Sequence, residues 1–207
     1  MMNRTIVKIA QIVSDVFSPL LLPTYCMAMA MWITPLQALP ERNRMMATLG
    51  ILVITGLIPY IFIKLLMRIG RVSDNSIADR SERLLPMIVG ILCYVASALY
   101  VRYIDGPVWL ALFFVGAAAA AVVSLIITRF WKISAHAAAI GGMVGMLAWF
   151  GLVGLANVNT MIWLSAVILL AGAVLTSRLI LGRHTLAQVA CGFVLGCAAQ
   201  LITLSFA

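Results

Sequence analysis

The sequence predicts an all-α fold, a polytopic transmembrane helical bundle of six to seven spans. Three observations carry that expectation. Of the 207 residues, 64% are hydrophobic and 10% are charged, and mean hydropathy is +1.13. The apolar residues fall in runs of about 20, the length a helix needs to cross a bilayer. Alternating ten-residue segments, the mark of a β-barrel, are not found in the sequence.

The first span is expected at 16–34. It follows a segment with Arg4 and Lys8 that mimics a signal peptide, but the apolar run is too long for one and carries Pro19 and Pro23. It reads as a retained span. Tyr25 before Cys26 is too bulky for lipoprotein processing. Further spans are expected at 46–67, 84–102, 108–128, 135–155, 161–180 and 186–206. Trp32, Trp109, Trp131 and Trp163 stand near span ends, as interfacial aromatics do. Gly141 and Gly145 in span five, and Gly192 and Gly196 in span seven, form small-xxx-small pairs that let helix backbones approach closely. The alanine run 117–121 offers span four the same property. With no repeat and no linker, residues 1–207 read as a single integral membrane domain.

The formal charge is +8, carried by basic residues scattered through short loops. That pattern fits membrane orientation and anionic groups at the membrane surface, and it lacks the basic stripe of a nucleic-acid binder. Seven spans place the N-terminus and the loops after spans two, four and six on one side. Eleven of the 14 Lys and Arg lie there; only Arg42, Arg44 and Arg102 lie opposite. The positive-inside rule assigns the basic side to the cytoplasm. Setting aside Arg80, Arg83, Lys132 and Arg178 as site residues leaves seven against three. Cys26, Cys93, Cys191 and Cys197 lie in apolar runs without metal or disulfide spacing, and read as small buried hydrophobes.

Both histidines, His136 and His184, begin spans on this basic side, each beside a lysine or arginine. Ionisable clusters near lipid are costly, and their default reading is functional. Arg83, Lys132, Arg178 and Arg80 offer fixed positive charge; arginine forks suit phosphate oxygens, and lysine binds them as a point charge. The starts of spans five and seven add helix N-termini, which attract anions. Asp15, Asp74, Asp79 and Glu82 are the acidic residues on this side, and no Asp/Glu/His set has the spacing of a metal site, so neither metal nor cofactor is expected. Two histidines at a metal-free phosphate site suggest nucleophilic catalysis, one imidazole attacking phosphorus and the other protonating the leaving oxygen.

Three segments, spanning about 75–190, resemble the type 2 phosphatidic acid phosphatase and vanadium haloperoxidase superfamily. Its pattern is Lys-x6-Arg-Pro, then Pro-Ser-Gly-His, then Ser-Arg-x5-His-x3-Asp. The third motif matches best, with Ser177, Arg178, five residues "LILGR" and His184. The second keeps Ser134 and His136, with Ile133 for the proline and Ala135 for the glycine. In the first, Arg83 stands at the family arginine, Leu84 replaces the proline, and Ser76 stands where the lysine is expected; Arg80, one turn from Arg83, substitutes as a cation.

The resemblance implies roles. His184 is the nucleophile that forms a phosphohistidine, and His136 is the acid for the leaving alcohol and later the base for water. Arg178 and Arg83 clamp phosphate, and Ser134 with the backbone N–H groups of span five binds its oxygens. Lys132 joins them on charge and position. Gln188 replaces the family aspartate; at i,i+4 it shares a helix face with His184 and can fix the imidazole tautomer without supplying negative charge. The function so implied is a membrane phosphatase, in a bacterial inner membrane, acting on a phosphomonoester or pyrophosphate carried by a lipid: phosphatidate, phosphatidylglycerol phosphate, polyprenyl pyrophosphate or lipid A. The alternative is a catalytically impaired member that binds or transports phospholipid. An ion or solute transporter is disfavoured, because the cations sit near span ends rather than at the bilayer midplane.

Overall fold

A computed structural model describes residues 4–72 and 81–207, and every regular element among them is helical. Six helices are long and apolar enough to cross a membrane: Glu41–Arg68, Leu84–Tyr103, Val108–Thr128, Ala135–Val153, Thr160–Ile180 and Leu186–Leu204. Their outer faces present Leu92, Leu99, Leu169 and Val194 in exposed positions. Water penalises such a surface and hydrocarbon does not. The chain is a multi-pass helical membrane protein.

The N-terminal region differs from the single span expected at 16–34. Helix α1 (Arg4–Val16) is amphipathic: Ala10 and Ser14 are buried against the bundle, while Ile6, Ile9 and Ile12 face outward. Helix α2 (Leu22–Ile33) has 12 residues, about 18 Å of rise against a hydrocarbon core of about 30 Å. Proline chemistry separates the two. Pro19 has no N–H to return to Asp15, so α1 cannot continue through it. Leu21 and Leu22 then both donate to Ser18 O to start α2, with Pro23 in the first turn, where its missing N–H is harmless. From a cavity lined by Leu22 and Pro23, α2 leads to the opposite end of the bundle, where Asn157 N–H donates to Ile33 O at 2.8 Å. A turn and a short helix therefore make the first pass, and Ser14 in the last turn of α1 lies at the same end as both histidines.

Helices α3 (Glu41–Ile51) and α4 (Ile58–Arg68) are joined through a π-helical stretch, Leu52–Leu57. Pro59 explains it: its ring would clash with the carbonyl four residues back, and a widened turn relieves the clash without ending the helix. Thr55 Oγ1, donating to Ile51 O at 2.9 Å, occupies the carbonyl just before this stretch. Helices α5 (Leu84–Tyr103) and α6 (Val108–Thr128) pair closely, and α6 also packs on α9.

Helices α7 (Ala135–Val153) and α9 (Leu186–Leu204) make the most extensive helix contact in the structure. The two glycine pairs create it. A Cβ on Gly196 would run into Ala138 O, one on Gly141 into Phe193 O, and one on Gly145 would stand 2.7 Å from Cys197 O. Carbonyls of one helix thus rest on bare Cα atoms of the other. Helix α8 (Thr160–Ile180) crosses between them, so α7 and α9 run parallel and both begin at the same end. Ser134 N–H reaches Gln188 O at 3.4 Å across that junction. The alanine run of α6, expected to seat a neighbouring helix, has Ala117, Ala120 and Ala121 on the wall of the cavity.

Candidate active site

The cavity has a volume of about 620 Å³. Arg83, His136, Arg178, Arg183 and His184 line one end, and Asp15 is the carboxylate among the described lining residues. From there it continues between the helices, past Tyr94 and Phe113, to Gln200. Along α9 that depth is 14 residues, Leu186 to Gln200, about 21 Å at 1.5 Å per residue.

His184 stands just before α9 and is 8% exposed. The start of α9 holds it. Thr185 is the N-cap; its Oγ1 accepts from Gln188 N–H at 3.4 Å, and Gln188 Oε1 accepts from Thr185 N–H at 3.2 Å, a reciprocal capping box. The same Oε1 lies 3.2 Å from His184 Nδ1. Because that oxygen already accepts from a backbone N–H, the carbonyl edge of the amide faces the ring. Nδ1 then carries the hydrogen, and Nε2 keeps the lone pair. Burial, with the charges of Arg83, Arg178 and Lys132, drives the His184 pKa down to about 3 against the opposing bond to Gln188. The imidazole is neutral at physiological pH.

Arg178, in the last turn of α8, is 5% exposed. Its Nη1 donates to Ser14 Oγ at 2.5 Å, and its Nε has no hydrogen-bond partner among the described residues. A buried guanidinium donor without an acceptor is costly. Arg83, preceding α5, donates from Nη1 to Ile133 O at 3.3 Å. His136, in the first turn of α7, has Nε2 3.1 Å from Ser14 O and 3.2 Å from Ser14 Oγ.

Two expected phosphate ligands are placed differently from the rest. Ser134 is fully buried, and its Oγ caps α7 by accepting from Ala137 N–H at 3.3 Å; it is not among the cavity's lining residues. Lys132 is half-buried and acts on His184 through its charge, also from outside the lining. Arg80 and Ser76 lie outside the described residues. Among the described residues, no group of three His, Cys, Asp or Glu is placed to hold a metal; all four cysteines are free thiols, Cys26 and Cys93 buried as expected, but Cys197 half-buried and Cys191 exposed.

Sequence reasoning missed Ser14, Asp15 and Arg183 as lining residues. The signal for the first two was the helical period of Ile6, Ile9, Ala10 and Val13, which ends in a polar pair just before Pro19. The Thr-x-x-Gln spacing of Thr185 and Gln188 was a further local signal, that of a capping box. Comparison with protein-family models, with curated proteins and with solved structures finds no match for this chain.

Proposed function

We propose that the protein is a metal-independent lipid phosphatase working through a phosphohistidine on His184. The observation that carries the reading is Arg178: a guanidinium held in a buried position with Nε unpartnered among the described residues, lining a cavity shared with Arg83, Arg183 and both histidines. The Nε donor of Arg178, without a partner among the described residues, calls for an anion, and a tetrahedral phosphate supplies acceptors to several guanidinium forks at once. The apolar continuation toward Phe113 and Gln200 has room for part of a lipid chain while the phosphate stays among the cations.

In this mechanism the Nε2 lone pair of His184 attacks phosphorus, and the bond from phosphorus to the leaving oxygen breaks. The negative charge of the bound phosphate offsets the neighbouring cations and lets His136 hold a second proton, on Nδ1; His136 gives that proton to the leaving alkoxide, so the product departs as an alcohol. His136 Nδ1 then takes a proton from water, whose oxygen attacks the phosphohistidine. The P–N bond breaks, its electron pair returns to His184, and phosphate leaves. Arg178 and Arg83 neutralise charge on the equatorial oxygens throughout.

The neutral Gln188 favours a second reading, a lipid-phosphate binding or transport protein on the same scaffold. Phosphate release by the purified protein from mixed micelles of phosphatidate, phosphatidylglycerol phosphate and polyprenyl pyrophosphate separates the two. A phosphatase shows release that His184→Ala abolishes; equal release by both proteins leaves only the binding reading. With the phosphatase reading we propose a bacterial plasma membrane, and the surplus of cations favours a cytoplasmic over an outward-facing site end. Maleimide labelling of Phe130→Cys, at the exposed α6–α7 connection, reads that face in intact cells.

A further inference from the structure

We propose that Ser14 is a positioning residue that fixes the acid His136 and the clamp Arg178 in one geometry, making α1 part of the active site. The proposal rests on the phosphatase reading. Ser14 lies more than 120 residues from either partner in sequence and is 1% exposed. Its Oγ accepts from Arg178 Nη1 at 2.5 Å and stands 3.2 Å from His136 Nε2. Its carbonyl oxygen stands 3.1 Å from that same nitrogen.

These contacts fix a tautomer. A carbonyl oxygen only accepts, so Nε2 of His136 carries the hydrogen and shares it between the two oxygens of residue 14. The neutral ring then keeps its lone pair on Nδ1, and the proton it gains and gives in catalysis sits on Nδ1. Ser14 is thus to His136 what Gln188 is to His184: each histidine has one nitrogen held by an oxygen and the other left for chemistry.

The same hydroxyl joins the acid to the clamp. One serine oxygen has two lone pairs and can accept from guanidinium and imidazole together. The end of α1 suits the task. Ser14 falls within its last turn, where carbonyls lack intrahelical acceptor duty and the helix dipole is negative, which favours neighbouring cations. Ala10 and the contact of α1 with α8 hold this end against Arg178.

The test uses the full-length protein in detergent, with two readouts: turnover of a lipid phosphate, and equilibrium binding of inorganic phosphate by calorimetry. Ser14→Ala removes the shared acceptor, and Ser14→Cys keeps nearly the same volume with a poor one. Each is expected to lower kcat and weaken phosphate binding about tenfold, the scale of one hydrogen bond to a charged group. Ser14→Thr keeps the oxygen and is expected to restore both to within about twofold. A structural role alone would make Ser14→Thr fall with the others. That result, or wild-type behaviour in Ser14→Ala and Ser14→Cys, overturns the proposal. If wild type and His184→Ala release phosphate equally, the phosphatase reading fails separately, and the binding series still decides Ser14. Weakening that threonine rescues supports its place in the anion site, and unchanged or unrescued binding removes it.

Discussion

Gln188 Oε1 stands 3.2 Å from His184 Nδ1 and accepts, at the same distance, from the Thr185 N–H. A single oxygen therefore closes a helix cap and sets a histidine tautomer. The backbone bond is what makes a neutral amide sufficient for orientation, because it stops the amide from turning its NH₂ toward the ring.

Two substitutions at 188 separate orientation from charge. Gln188→Leu removes the acceptor and is expected to lower kcat by about 10² or more, since an unheld imidazole loses its tautomer. Gln188→Asp keeps an acceptor and adds charge; a charge-assisted bond is about twice as strong as a neutral one, which predicts a gain of about tenfold. Steady-state phosphate release measures both. Unchanged rates in both variants would show that residue 188 does not address the nucleophile.

The acid range tests the state of His184. An ordinary imidazole with a pKa near 6.5 is about 3% neutral at pH 5. His184, with its pKa driven to about 3 by burial and the neighbouring cations, stays neutral there. The sign follows from which form is penalised: desolvation and positive neighbours disfavour imidazolium, so protonation waits for lower pH. Carbethoxylation of His184, followed by mass spectrometry on unliganded protein, is expected to be nearly as fast at pH 5 as at pH 7.5. A drop of about thirtyfold would signal an ordinary pKa.

Arg178 is expected to resist conservative replacement. Arg178→Lys keeps a charge but loses the Nε donor and the fork, and should weaken phosphate competition at least about tenfold, with Arg178→Ala weaker still. Inhibition constants for inorganic phosphate give the comparison. A lysine variant equal to wild type would mean that bulk charge, and not the fork, holds the anion.

Close packing of α7 on α9 sets the distance between the segments that carry the two histidines. Gly196→Ala drives a methyl group into Ala138 O, backbone against backbone, and should cost about 3 kcal/mol or more. Gly172→Ala has nothing within 4 Å to meet and should be neutral or stabilising by up to about 1 kcal/mol through helix propensity. Thermal unfolding in detergent ranks them; equal midpoints would contradict the packing account.

The long spans were legible because hydropathy accumulates over 20 residues, and the glycine pairs were legible because their spacing alone defines a helix face. The convergence of His136 and His184 followed from loop parity, which holds because the chain starts its first pass at the site end, just after Ser14. The break between α1 and α2 was hidden: Pro19 and Pro23 interrupt the backbone but not the run of apolar side chains. Ser14 was hidden for a different reason. Its partners lie more than 120 residues away, and its own neighbours look like an ordinary interfacial helix. Ser134 shows the converse limit, since a hydroxyl at a helix start can serve a bound anion or its own N–H groups, and here it bonds to Ala137 N–H.

Trapping the covalent intermediate tests the central claim most directly. In His136→Ala, an aryl phosphate ester needs no acid to expel its leaving group, while hydrolysis of the intermediate still lacks its base, so the intermediate should accumulate. Base quenching and peptide mass spectrometry are expected to find a phosphoryl group on His184, and none when His184→Ala is added. Phosphate release with His184 unmodified, or the same labelling in the double variant, would contradict the account.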